Sequence, residues 1–148
     1  MVVAFFGHSK YFAESGDEER LVSLLEEITR GQRVDFYLGG YGAFDAFARK
    51  CAQIYKEKHL NARLFLVVPY LDGRLEGENR YDEILYPALE RVPKKYAIIK
   101  RNEWMVRQAD YVVAYVKTHY GGAYKALFYA HKNNKPYKNM YQGEYKLY

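Results

Sequence analysis

Cysteine is almost absent: Cys51 is the only one in 148 residues. A single cysteine excludes an intrachain disulfide framework and leaves no cysteine pair for zinc. Sitting in a helical pattern, it is expected to act as a small core residue. Histidine is sparse too. His8, His59, His119 and His131 are spread apart, no H-x-x-x-H pair occurs, and no metal site is expected. Long apolar runs are missing, and nothing approaches the roughly 20 residues that cross a bilayer. The opening run MVVAFFG is too short for a signal peptide and has no basic segment before it. The expected compartment is therefore a reducing cytoplasm, with no membrane partner. The dinucleotide fingerprint G-x-G-x-x-G and the Walker A lysine pattern are both absent.

Charge of one sign prevails only mildly. Lys and Arg number 23 against 18 acids, a net charge of +5. The basic residues are scattered, without a run. That disfavours a nucleic-acid footprint while suiting an anionic small ligand. Aromatics are plentiful at 18%, with 17 tyrosines. Tyrosine joins a flat apolar body to a polar tip, so many should line a groove or surface.

The length suits one domain over residues 1–148. Short apolar runs alternate with amphipathic segments. VVAFFG reads as a buried strand ended by Gly7. ESGDEERLVSLLEEITRG reads as a helix with Asp17 as N-cap, a stripe of Leu21, Leu24, Leu25 and Ile28, and Gly31 as its stop. VDFYLGG is a second strand. The next helix, AFDAFARKCAQIYKEKH, has Phe44, Phe47, Cys51 and Ile54 at helical spacing. ARLFLVVPY is a third strand, stopped by Pro69. The following polar stretch reads as a long loop with a short helix near Tyr81 to Leu85. AIIKRNEWMVRQA is a helix, DYVVAYV a fourth strand, GGAYKALFYAHKNNK a glycine-started helix, and PYKNMYQ holds a short last strand. Such alternation predicts an α/β, Rossmann-like three-layer αβα sandwich with a mainly parallel sheet. Right-handed crossovers place the loops after the strands along one edge, where ligands bind.

Two strand-to-helix turns on that edge carry paired glycines: Gly39-Gly40 with Gly42, and Gly121-Gly122. Gly7 supplies a third. Glycine lets backbone N–H groups approach a ligand, and the following helix adds free donors and a positive dipole end. Each turn alone fits tight packing at a chain corner as well as a phosphate cradle. Three together favour a phosphate-bearing ligand.

GGYGAFD (39–45), VVPY (67–70), KRNEWMVRQAD (100–110) and YGGAYKAL (120–127) together resemble the SLOG superfamily, the Rossmann-like group that includes the DprA (Smf) and lonely-guy proteins. The nearest likeness is to its small bacterial branch typified by YpsA, over nearly the whole chain. The resemblance implies a Rossmann-like fold, a site for a nucleotide or an ADP-ribose- or NAD-like metabolite, and a homodimer, and it implies no cofactor. Lonely-guy proteins cleave the N-glycosidic bond of cytokinin nucleotides. Arg101 and Asp110 match their arginine and the aspartate nine residues on, and Gly121 and Gly122 match their glycines. The segment between Asp110 and Gly121 is longer here. Lys125 stands at the threonine position and Leu127 at the glutamate position. A carboxylate stabilises oxocarbenium character and Leu127 cannot. A binding protein or sensor is therefore the first expectation, and a nucleoside 5′-monophosphate N-glycosidase with a carboxylate from elsewhere is the alternative.

The phosphate- and ligand-binding candidates are Gly7, His8, Ser9, Gly39, Gly40, Gly42, Arg101, Asn102, Gly121, Gly122 and Lys125. Arg101 and Asn102 are expected at a helix start, where Arg can grip a phosphate bidentately and Asn can read a base or ribose edge. Asp45 can bind a ribose hydroxyl, act as a base, or simply complement a helix dipole. Glu76, Glu78 and Asp82, in the long loop, are the other carboxylate candidates. Trp104 can stack on a base or pack the core. Tyr41, Tyr70, Tyr120 and Tyr124 form an aromatic rim, suited to a nucleobase or to a dimer surface.

Overall fold

The computed structural model describes residues 1–71 and 78–148. The continuous apolar runs form strands buried on both faces, as a parallel sheet covered by helices requires. In chain order the elements are β1 (Val2–Gly7), α1 (Asp17–Thr29), β2 (Val34–Leu38), α2 (Ala43–Lys58), β3 (Ala62–Val67), a 3₁₀ turn (Glu78–Arg80), β4 (Glu83–Leu85), α3 (Lys94–Gln108), β5 (Tyr111–Tyr115), α4 (Gly122–Lys132) and β6 (Tyr137–Asn139). The strands form one sheet in the order β4-β3-β2-β1-β5-β6. Every pairing is parallel. The expected three-layer α/β sandwich is thus present.

The period of two along β1 divides the core. Val3 and Phe5 join Leu21 and Leu25 of α1 and Phe44, Ala48 and Cys51 of α2 on one face. Ala4 and Phe6 join Met105 and Val106 of α3 and Ala126 and Ala130 of α4 on the other. Trp104 stacks on Tyr37 in this second layer, with ring centroids 5.8 Å apart. It is a packing residue.

Four expectations need correction. Asp17 is not the N-cap of α1. Gly16 takes that place in a left-handed conformation, and Asp17 is the first helical residue. Its carboxylate instead accepts bonds from the Tyr11 hydroxyl and the Glu14 N–H, which ties down the β1–α1 loop. The short helix near Tyr81 to Leu85 is a sixth strand. Asp82 explains it: its N–H donates to the Leu64 carbonyl and its carboxylate accepts the Leu64 N–H, and this pairing leads the chain into β4. β3 ends at Val67 rather than running to Tyr70. Arg101 is not at a helix start, because α3 begins at Lys94. It lies mid-helix, turned inward and only 6% exposed.

Candidate functional site

The chain steps outward from β1 through β2 and β3 to β4, then returns to the other side of β1 for β5 and β6. The order reverses at β1, and a crevice opens where the loops after β1 and β5 part. A cleft of about 600 Å³ lies there.

Two of the four helices that start at this edge share an unusual N-cap. Gly42 before α2 and Gly121 before α4 both have φ 91° and ψ 171°, a region open essentially only to glycine. The amides beyond them differ. At α2, the Ala43 N–H donates to the Ser9 carbonyl (2.8 Å) and the Phe44 N–H to the His8 carbonyl (3.3 Å). The N–H of Tyr41 donates to the Asp45 carboxylate at 3.2 Å. This turn is closed by the protein itself. At α4, no acceptor among the described residues meets the N–H groups of Gly122, Ala123 or Tyr124. A Cβ at Gly121 or Gly122 would meet nothing within 4 Å. Open amides and a positive dipole end therefore face the cleft.

Arg101 forms the floor. Its Nη1 donates to the Val67 carbonyl (2.8 Å) and, at 3.4 Å, to the Gly39 carbonyl, and its Nε donates to Asn102 Oδ1 (2.9 Å). The guanidinium lies so close over Gly39 that a Cβ there would sit 3.0 Å from it. Arg101 has no carboxylate within ion-pair distance among the described residues. Burial lowers its pKa, against the opposing pull of Asp45 and Tyr70. A buried, unpaired cation is costly unless an anion joins it.

Asp45, 8% exposed, is the one carboxylate among the described residues that line the cleft. Burial pushes its pKa up to about 7, against the Tyr41 N–H, the Arg101 charge and the Gly40 N–H, which all lower it. Its Oδ1 has no partner among the described residues. His8 Nε2 accepts the Lys117 N–H at 2.9 Å, so the neutral ring carries its proton on Nδ1. Burial, with the nearby Lys117 charge, lowers the His8 pKa.

The cleft thus gathers Gly7, His8, Ser9, Gly39, Asp45, Arg101, Asn102, Gly121 and Gly122. Gly40, Gly42 and Lys125 do not line it, and Lys125 faces a separate groove between α3 and α4. Asp82 is engaged with Lys56 (2.6 Å) and the Leu64 amide, away from the cleft. Glu76 and the Glu78 side chain lie outside the described residues. Tyr41 and Tyr120 stand at the mouth, while Tyr70 takes the Lys94 ammonium on its ring. His119 does not enter the cleft. Its ring bonds the Lys146 carbonyl and stacks on Tyr145. The sequence reasoning missed Lys10, Ile98, Lys117 and Thr118. For Lys10 and Lys117 the signal was position, just past the C-terminal ends of β1 and β5. Among the described residues, no group of three or more His, Cys, Asp or Glu gathers to hold a metal. No helix among them is long and apolar enough to cross a membrane.

No family model matches the chain, and no curated protein matches it. Solved structures do. DNA processing protein A from Helicobacter pylori, described for its single-stranded DNA binding mode, superposes with a TM-score of 0.64 at 17% identity, over 93% of this chain and 63% of that one. DNA processing protein A from Streptococcus pneumoniae gives 0.63 at 14%, over 91% and 48%. The structural-genomics target TM1055 gives 0.59 at 14%, over 92% and 71%. At such identities the likeness establishes a shared fold, the Rossmann-like one that the SLOG resemblance implies. The chain spans less than two thirds of either DNA processing protein.

Proposed function

We propose that the protein binds a nucleotide or a nucleotide-derived, ADP-ribose- or NAD-like metabolite, with its phosphate on the open N-terminus of α4 and its sugar or base toward Asn102 and Asp45. The observation that carries this is the buried Arg101 cation, which has no carboxylate within ion-pair distance among the described residues and shares the cleft with the open amides of Gly122 and Ala123. A phosphate between them completes both. Lys10 and Lys117 add positive charge at the rim. The volume lies in the range of small-molecule sites. Membership of the YpsA-like branch, a cytoplasmic home and a homodimer belong to the same reading.

The test is calorimetry with AMP, ribose 5-phosphate, ADP-ribose and NAD. At least one should bind, and Arg101→Ala, confirmed folded by circular dichroism, should weaken it about tenfold or more. No heat from any of them at millimolar concentration overturns the reading.

One observation favours a second reading, N-glycoside cleavage. Asp45 holds a carboxyl group of pKa about 7 in the cleft, suited to proton transfer near neutral pH. Leu127, at the lonely-guy glutamate position, is buried in the core beside Ala114 and Val116. Chromatographic detection of a free base from nucleoside monophosphates, lost in Asp45→Asn, supports this reading, and no release removes it for those substrates. The likeness to DNA processing protein A raises single-stranded DNA as a further partner. Exposed Tyr41 and Tyr120 beside Lys10 and Lys117 suit stacking and phosphate contact. Salt-dependent retention of an oligonucleotide that competes with the nucleotide supports it.

A further inference from the structure

The outer faces of α3 and α4 enclose a second hollow of about 280 Å³. This is at the lower end of the range of small-molecule sites, about 300–1,000 Å³, and is room for a single ring system. Its walls are ring faces and aliphatic surface. Tyr124 and Phe128 stack along one side with centroids 5.8 Å apart, and Ile99 faces them from α3. Its charge is positive. Lys132 lies over the Phe128 ring, 5.3 Å from its centroid, and Lys125 also lines the hollow. The one carboxylate among its described lining residues, Glu103, is bonded to Lys100.

The hollow adjoins the cleft: Asn102 and Gly122 line both. At Gly122 the space a side chain would fill is empty to 4 Å, so nothing from that residue divides the two. Asn102 spends its Oδ1 on Arg101. Its amide N–H₂ has no acceptor among the described residues and is a free donor at the junction.

We propose that this groove is a second subsite of the cleft, taking the aromatic half of a two-part nucleotide whose linking phosphate passes over Gly122. The proposal rests on the nucleotide reading above and narrows it: the preferred ligand is a dinucleotide rather than a mononucleotide. The ring walls stack the second aromatic group, and the lysines meet the charge of the link.

The test compares AMP and NAD by calorimetry on the full chain and on two variants, Ile99→Trp, which fills the groove, and Lys132→Glu, which reverses its charge. Neither residue lines the cleft. Wild type should bind NAD at least about tenfold tighter than AMP. Each variant should reduce NAD to the affinity of AMP and leave AMP unchanged. Equal affinities in wild type, or variants that weaken both ligands alike, overturn the subsite and leave the nucleotide reading standing. Binding of neither ligand removes both. A sedimentation profile that passes from dimer to monomer in Lys132→Glu, with NAD affinity unchanged, assigns the groove to a second copy and overturns the proposal.

Discussion

Gly42 and Gly121 hold the same backbone conformation at the starts of α2 and α4, yet one start is closed by protein carbonyls and the other is open to the cleft. Both glycines turn the chain from a strand's end into a covering helix, and α1 and α3, whose N-caps are Gly16 and Pro93, do so with other backbone angles. The difference comes from the β1–α1 loop. His8 and Ser9 lie against α2, where their carbonyls accept the Ala43 and Phe44 amides, and none of the described residues does so at α4.

These two glycines should respond unequally to alanine. Both substitutions strain the backbone by about 1–3 kcal/mol. At Gly42 the new Cβ also comes within 2.7 Å of Ser9 Cα, whereas at Gly121 it meets nothing. Urea denaturation should show the larger loss for Gly42→Ala. An equal loss contradicts the role given to the Ser9 contact.

Asp45 should make stability fall as pH rises. Its folded pKa, about 7, lies above the usual carboxylate value, so between those values the native state holds more protons than the unfolded one. The cost of ionising it is absent in acid and complete above neutrality, at most roughly 4 kcal/mol. Asp45→Asn should flatten the stability profile between about pH 4 and pH 8. An unchanged slope contradicts the buried carboxyl.

His8 should act with the opposite sign. Its folded pKa is lowered, so the unfolded state binds the proton first and stability drops as pH falls through the ordinary imidazole value. Protonation also removes the acceptor for the Lys117 N–H. The His8→Gln variant should lose this acid-side decline, as read by thermal melts across the range.

Arg101 and Asp45 should prove coupled. Arg101→Met leaves the Val67 and Gly39 carbonyls without their donor, a loss of about 1–3 kcal/mol. It also removes a charge that lowers the Asp45 pKa, so the Asp45 carboxyl resonance should titrate at higher pH in the variant. An unmoved titration contradicts the coupling.

The buried strands and the glycine-started helices were legible because each is a local pattern: an apolar run, a 3.6-residue stripe, a Gly-Gly break. β4 was not, because three residues become a strand only through pairing with β3, and Asp82 read alone is one more loop carboxylate. Arg101 was legible as a site residue through resemblance, but its burial depends on how far α3 extends before it. The closure of α2 was invisible, since His8 and Ala43 are far apart in sequence and meet only in the fold. Lys10 and Lys117 gave no motif, and only the sheet order brings them to one rim.

The most direct measurement of the central claim, that the open start of α4 holds an anionic nucleotide group, is calorimetric titration of ADP-ribose into wild type and Gly122→Asp. Gly122 has ordinary backbone angles and free space around it, and an acid in the first turn suits the helix dipole. The variant should melt at or above the wild-type temperature while its carboxylate takes the place of the phosphate, so binding should be lost. Unchanged ADP-ribose affinity in a folded Gly122→Asp protein would contradict the account.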